Sequence, residues 1–98
     1  MRLEYHPAVQ RDFNEAIDFN EAAGPRLADR FAAEFRHCLA AIGKAARRFG
    51  YYCGSAAYRR VRLRSFPYVI LYGEFGDAVR MLVLKHEKRA VPYGARRS

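Results

Sequence analysis

The sequence predicts an α+β domain in which an N-terminal strand and a two-helix hairpin precede a three-stranded antiparallel meander. Two observations support this class. Apolar residues recur at helical spacing through the first part of the chain, whereas the later part holds short apolar runs rich in β-branched and aromatic residues. Because the helices are grouped before most of the strands, we expect them to cover one face of a single sheet.

The first part predicts a short strand and two amphipathic helices. Leu3 and Tyr5 lie on one face of Arg2–Tyr5, which indicates an edge strand. Helical spacing begins at Pro7, and Gly24-Pro25 ends the first helix and starts a second of roughly five turns. The apolar stripes are Val9, Phe13 and Ile17, then Leu27, Phe31, Phe35, Cys38 and Ile42. Acidic residues, Asp12 among them, lie off these stripes, so we expect the hairpin to pack its apolar side on the sheet.

Three later runs predict the meander. They are Tyr58–Arg64, Tyr68–Tyr72 and Val79–Leu84, and Gly76-Asp77 is a pair that tolerates positive φ in a hairpin turn. In the first run Val61 and Leu63 would point into the core, because side chains alternate between the faces of a strand. The other face would then carry a ladder of arginines, Arg60, Arg62 and Arg64. A second polar cluster follows the third run: Lys85, His86, Lys88 and Arg89.

The stretch between the last helix and the first of these strands, residues 43–57, is basic and aromatic. Phe49, Tyr51 and Tyr52 alternate with lysine and arginine. Aromatic rings among cations can stack on exposed bases. The same rings can equally pack the loop against the protein. The sequence leaves both interpretations open.

Composition and charge limit the function classes. The chain has 98 residues, of which 51% are hydrophobic, enough for one domain spanning residues 1–98. Residues 1–35 hold four arginines and seven acidic residues, whereas residues 36–98 hold fourteen lysines and arginines and three acidic residues. Such asymmetry favours a polyanionic target or an acidic protein partner over a basic surface kept only for solubility.

Several classes of protein are disfavoured. No apolar run approaches the roughly 20 residues that span a bilayer, and the N-terminus lacks a signal-peptide core, so we expect a cytoplasmic protein without a membrane partner. Cys38 and Cys53 form neither a disulfide framework nor a metal-binding spacing, and we expect reduced thiols. His6, His37 and His86 lie too far apart in sequence to suggest zinc. No glycine-rich phosphate loop is present, so we expect no metal and no cofactor.

Three motifs carry a resemblance to a known family. They are Tyr5-x-Pro7-Ala8, Phe66-Pro67-Tyr68-Val69-Ile70-Leu71-Tyr72 and His86-x-x-Arg89-x-x-Pro92-Tyr93. Together with the helix pair they resemble the RelE/ParE superfamily of toxins from type II toxin–antitoxin systems. The resemblance implies a small basic toxin of RelE/ParE-like fold that is neutralised by a cognate acidic antitoxin. Some members of that superfamily cut messenger RNA on the ribosome, and others act on DNA gyrase.

The resemblance favours the gyrase branch. The ribonuclease branch places basic residues on the strand occupied here by Arg60, Arg62 and Arg64, but it has a further arginine where this chain has Val69. Glu87 likewise stands where another arginine would be expected. Arg89 and Tyr93 do fall where that branch places an arginine and a tyrosine. We therefore expect a ParE-like growth inhibitor of gyrase, with a RelE-like ribosome-dependent endoribonuclease as the alternative.

If the nuclease alternative holds, the catalytic residues would be Arg62, Arg64, His86, Arg89 and Tyr93. Cleavage through a 2′-hydroxyl needs a base, an acid and cations around the phosphate. The arginines would hold phosphates through forked donors, His86 would exchange protons, and Tyr93 would stack on a base or move a proton. Each also has a structural interpretation: a solvated arginine face, a hydrogen-bonded strand-end histidine, and a tyrosine that pins the C-terminal tail to the sheet.

The remaining expectations concern partners. Arg60, Arg62, Arg64, Lys85 and Lys88 are the predicted contacts to nucleic acid or to the antitoxin. We expect the antitoxin to supply an acidic, partly disordered segment that folds against the basic sheet face. A plain nucleic-acid-binding module is the third hypothesis, although no helix combines a basic face with helix-turn-helix features.

Overall fold

A computed structural model describes residues 2–52, 55, 57–90 and 92–98 of the chain. Its elements are β1 (Arg2–Tyr5), α1 (Ala8–Ala23), α2 (Pro25–Ala45), a 3₁₀ turn (Ala46–Arg48), β2 (Tyr58–Arg62), β3 (Tyr68–Phe75) and β4 (Ala78–His86). The predicted order of one strand, two helices and three strands is confirmed. β4 is longer than predicted and includes both Lys85 and His86.

The four strands form one sheet in the order β1-β4-β3-β2. β2, β3 and β4 make the predicted antiparallel meander, and β1 lies parallel to β4 at the edge. The hairpin between β3 and β4 turns at Gly76, whose φ of 62° lies in the left-handed region that favours glycine. The two edges of the sheet are therefore β1 and β2.

The helices cover one face of this sheet, and the main core lies between the two layers. The largest of the fully enclosed side chains include Phe31 and Ile42 from α2, Tyr72 from β3 and Met81 from β4. Phe35 is also buried, while Leu27 and Cys38 pack at the margin of the core. The apolar stripe predicted on α2 thus faces the sheet.

The buried face of α1 differs from the predicted stripe. Val9 is buried, but Phe13 and Ile17 are only half-buried, and the polar residues Asp12 and Asn20 are buried instead. The cause is the position of α1 between α2 and β4. Phe13 points sideways to α2, with its ring centroid 4.9 Å from that of Phe35. The face that meets the sheet is therefore rotated towards Asp12.

The opposite face of the sheet has a small apolar core of its own. Val69, Leu71, Leu82 and Val83 are buried there beneath Tyr52, Tyr58, Phe75 and Tyr93. The register between β3 and β4 shifts at Leu71/Tyr72, so Leu82 lies opposite no β3 residue and joins Val83 on this face. The basic part of this sheet face is therefore confined to the β2 side, because the centre of the face is apolar and covered.

Other sequence predictions concern membranes and thiols. In the described ranges no helix is long and apolar enough to cross a membrane. Cys38 is a free, half-buried thiol. Burial raises its pKa, and the nearby Glu34 carboxylate adds to that effect. Cys53 lies outside the described residues.

Candidate functional site

Two of the three predicted arginines share a face of β2. Arg60 is paired in register with Leu71, and Arg62 with Val69, so both arginines stem from the sheet face opposite the helices. Both side chains are exposed. Arg64 is also exposed but lies in the bend after β2, because the strand ends at Arg62. The predicted ladder therefore consists of Arg60 and Arg62, and Arg64 extends it only as a neighbouring cation.

These three arginines line one open groove between α2 and the edge of β2. The groove has a volume of about 680 Å³. Its apolar surface comes from Cys38, Ala41, Phe49 and Val61. Arg48, from the 3₁₀ turn, adds a fourth arginine to the lining. We call this feature the α2–β2 groove; its arginines and apolar floor suit an acidic segment that also carries apolar side chains.

Glu34, the acidic residue that lines the α2–β2 groove, is already hydrogen-bonded within the chain. Glu34 Oε1 accepts a hydrogen bond of 2.9 Å from the backbone N–H of Ser65. Burial acts to raise the pKa of Glu34, but hydrogen bonds from Ser65 and from the Arg64 backbone outweigh it, and the pKa is lowered. Glu34 thus fixes the β2–β3 bend to α2, and among the described residues it forms no ion pair with an arginine of the groove.

The edge of β2 is covered along only part of its length. The Tyr52 N–H donates to the Tyr58 carbonyl at 2.9 Å, and the Arg60 N–H donates to the Gly50 carbonyl at 3.0 Å. Arg59 reinforces this pairing, because its guanidinium donates to the Phe49 carbonyl and lies 4.1 Å from the Tyr51 ring centroid. At Arg62 the pairing has ended, since Ala46–Arg48 form a 3₁₀ turn. That end of β2 opens into the α2–β2 groove.

The three aromatic residues of the loop after α2 do not all have the same role: some pack the loop against the protein, and one remains able to stack on a partner. Phe49 is half-buried with its ring edge-on to Tyr72, at a centroid distance of 6.5 Å. Tyr52 is half-buried over the outer sheet face. Both rings pack the loop down. Tyr51 is 50% exposed and stacks on Arg59, so it alone among the three retains a free ring surface.

Arg62 is neutralised by Glu87. Its Nε donates to Glu87 Oε2 at 2.9 Å, and its Nη1 donates to the Leu63 carbonyl at 2.9 Å. The hydrogen bond from Arg62 lowers the pKa of Glu87. Two positions at which the nuclease branch has cations therefore form an ion pair, and the guanidinium fork predicted to hold phosphate is occupied.

His86 and Arg89 lie at the far end of β4 and also have partners within the chain. His86 is half-buried, with its ring edge-on to Tyr68 at 5.2 Å, and its Nδ1 accepts the Lys88 N–H at 3.1 Å. The Arg89 guanidinium lies 3.9 Å from the centroid of the Tyr93 ring and 3.7 Å from a Glu15 oxygen. Lys88 is exposed, as predicted for a binding residue.

Lys85 is buried, which contradicts the prediction of a surface contact: only 2% of the residue is exposed. Its side chain points to the outer face beside Val69, where Nζ donates to the Tyr52 hydroxyl at 2.7 Å and to the carbonyls of Arg89 and Ala90 at 3.3 and 3.4 Å. Lys85 therefore ties two loops to the sheet and is not available to a partner.

Tyr93 anchors the C-terminal tail. Its hydroxyl donates to Asp12 Oδ1, and Asp12 Oδ2 accepts the backbone N–H of Leu84 at 3.1 Å. Arg97 completes the cluster by donating to Asp12 and, at 3.0 Å, to the Leu82 carbonyl. β1 pairs with β4 only as far as Met81, so Asp12 and Arg97 satisfy the edge of β4 beyond that point.

Sequence reasoning missed Asp12 and Arg97. The helical pattern places Asp12 off the apolar stripe of α1, and Arg97 belongs to a basic tail without a periodic pattern. The one available signal was the spacing of Tyr93 and Arg97, which lie four residues apart and here share one acceptor. Among the described residues no group of three or more histidines, cysteines and acids could hold a metal ion.

A family model and a solved structure are both similar to this chain. A family model described as the ParE toxin of the type II toxin–antitoxin system parDE matches residues 3–91. The chain is also similar to a solved structure of the chromosomal ParDE toxin–antitoxin system from P. aeruginosa, with a TM-score of 0.78 and 16% sequence identity. The match covers 88% of this chain and 95% of that one, and at such identity it shows the fold alone. No curated protein sequence matches the chain.

Proposed function

The chain belongs to the ParE toxin family of type II toxin–antitoxin systems, and from that premise we propose that it arrests growth in the cytoplasm by acting on DNA gyrase. Family membership supports a toxin with a cognate antitoxin. The choice of gyrase over ribosome-bound messenger depends on the state of the residues that a nuclease would use.

The observation that carries the choice is the Arg62–Glu87 ion pair. A metal-independent nuclease needs free cations where charge develops on the phosphate. Here Glu87 Oε2 accepts from Arg62 Nε at 2.9 Å, so a phosphate would have to displace a carboxylate. An acid at this position also repels the substrate.

Three further residues support the same choice. Val69 is 2% exposed in the outer apolar core, so no cation replaces the arginine that the nuclease branch has there. The Tyr93 hydroxyl is held by Asp12, and His86 Nδ1 is held by the Lys88 amide. A protein that binds its target without a chemical step needs none of these groups free.

Growth arrest is therefore expected to survive His86→Ala. The purified His86→Ala protein should inhibit DNA supercoiling by gyrase as strongly as the wild type, because no proton transfer by the toxin is involved. Primer extension on messenger from arrested cells should show no discrete cuts in either case. A nuclease would behave differently: it would produce cuts, and loss of its base or of Arg62 would slow cleavage about a hundredfold or more.

Glu87→Gln is the matched variant for this test. It removes the charge that occupies Arg62 while keeping the size and polarity of the side chain. If the wild type or Glu87→Gln cuts messenger at discrete sites, and His86→Ala removes the cuts, the nuclease alternative replaces the gyrase proposal.

We also propose that the antitoxin binds along the α2–β2 groove through an acidic segment with apolar anchors. Four arginines line the groove, and its floor is apolar. Glu34, the acidic residue in its lining, accepts a hydrogen bond from the Ser65 N–H. The proposed contacts are Arg60 and Arg64, and Arg62 joins them by exchanging Glu87 for a carboxylate of the antitoxin, whereas Lys85 is excluded by its burial.

Replacing Arg60, Arg62 and Arg64 together by alanine is expected to raise the Kd for the cognate antitoxin by about tenfold or more. The difference in Kd between the wild type and this variant should shrink as salt is added, because salt screens the attraction that the three arginines add in the wild type. Calorimetry or biolayer interferometry across a salt series measures both quantities.

The control variant removes the same amount of positive charge from surfaces outside the groove. Arg11, Arg26 and Arg96 are exposed and lie outside the groove, so their triple alanine variant should bind nearly as the wild type does. Equal loss of affinity in the two triple variants would show that net charge, and not the groove, governs binding.

A further inference from the structure

The ion pair between Arg62 and Glu87 lies where the α2–β2 groove meets solvent. Arg62 lines the groove, whereas Glu87 comes from the residues after β4 and does not line it. The side chain of Arg62 is 46% exposed and that of Glu87 is 40% exposed. A segment that enters the groove can therefore reach the pair without any movement of the backbone.

The two partners are held in different ways. The Glu87 backbone N–H donates to the Pro67 carbonyl at 2.8 Å, so the main chain is fixed while the carboxylate remains free to turn away. Arg62 donates through Nε to Glu87 and through Nη1 to the Leu63 carbonyl. Among the residues that the structure describes, none accepts from Arg62 Nη2. A second carboxylate can thus bind at Nη2 before Glu87 leaves Nε.

Glu87 meets this exchange as a charged group. The hydrogen bond from Arg62 is the largest influence that lowers its pKa, and the charges of Arg62, His86 and Arg60 act in the same direction. The carboxyl group is therefore ionised at neutral pH. A carboxylate from a partner would have to replace a like charge that is already in place.

We propose that Glu87 competes with the antitoxin for Arg62 and thereby lowers the affinity of the toxin for its antitoxin, an inference that rests on the antitoxin site proposed above. At Arg60 and Arg64, which have no ion pair among the described residues, an antitoxin carboxylate makes a new contact. At Arg62 it only replaces one contact by another. The gain at Arg62 is therefore the difference between two similar ion pairs.

Glu87→Gln is expected to lower the Kd for the cognate antitoxin about three- to fivefold, the range expected when a partly exposed ion pair no longer has to be broken. The backbone bond to Pro67 is kept in this variant. The matched control is Glu74→Gln, because Arg47 Nε also donates to a Glu74 carboxylate oxygen at 2.9 Å and neither residue lines the groove. It changes the net charge equally, and its Kd should differ from that of the wild type by less than about twofold. An equal gain in both variants would show that net charge is responsible and would overturn the proposal.

The same substitution in an Arg62→Ala background tests the competition directly. Without Arg62 there is nothing to compete for, so adding Glu87→Gln should lower the Kd no more than adding Glu74→Gln does. A full three- to fivefold gain in that background contradicts the proposal. The alanine variant of all three arginines separates the two levels of inference. If it binds the antitoxin like the wild type, the groove is not the antitoxin site and both proposals are wrong; if it loses affinity while Glu87→Gln gains none, only the competition is wrong.

NMR titration of the Glu87 side-chain carboxyl gives a second readout that does not depend on affinity. When the antitoxin takes Arg62, Glu87 loses the hydrogen bond that lowers its pKa most, so its pKa should be higher in the complex than in the free toxin. A pKa that is the same in both states would show that Glu87 keeps Arg62 when the antitoxin is bound, and it would overturn the proposal.

Discussion

Phe31→Ala is expected to lower the free energy of unfolding by about 3–5 kcal/mol. Phe31 is fully enclosed between the helices and the sheet. Its ring meets Tyr68 at 4.9 Å and Phe66 at 5.3 Å in edge-on contacts, so truncation removes apolar burial and both aromatic contacts. Since domains of this size have total stabilities of about 5–15 kcal/mol, the loss should be evident in urea or thermal unfolding.

Phe19→Ala is the control for that measurement. The same atoms are removed from a side chain that is 66% exposed, so the free energy of unfolding should change by no more than about 0.5 kcal/mol. If Phe31→Ala melts at the wild-type temperature, the apolar stripe of α2 is not the core, and the packing described above is wrong.

Asp12→Ala is expected to cost a similar amount, about 3–5 kcal/mol. The Asp12 side chain is 0% exposed and that of Arg97 is 11% exposed, so removal of the carboxylate leaves a largely buried cation without its partner. It also leaves the Leu84 N–H and the Tyr93 hydroxyl without their acceptor. The tail beyond Tyr93 should then detach from α1.

Two measurements separate this effect from a general loss of stability. Hydrogen exchange at the Leu84 amide should accelerate more than at the Ile70 amide on the neighbouring strand, because Asp12 protects only the former. Asp18→Ala, which removes an exposed acid from the same helix, should leave both amides and the melting temperature nearly unchanged. Unchanged exchange at Leu84 in Asp12→Ala would refute the proposed role of Asp12 at the edge of β4.

The local pattern of the sequence was sufficient for the elements and for the sheet face on which the β2 arginines lie. Helical spacing predicted the α2 stripe, and strand alternation predicted that Val61 faces the core while Arg60 and Arg62 do not. Gly76 predicted the hairpin turn. Each of these depends on neighbours a few residues away, which is the range over which backbone geometry imposes a period.

The sequence alone determined the α+β class, the toxin resemblance, and an excess of arginine on β2. Only the tertiary structure decided which charges remain free. Lys85 is covered by Tyr52, Arg62 is paired with Glu87, and Asp12 is buried against Arg97, and these partners are 33, 25 and 85 residues away in sequence. A periodic pattern specifies the face on which a side chain lies, but the cost of burying a charge depends on the partner that meets it there. That partner is set by how α1, the loops and the tail pack on the sheet.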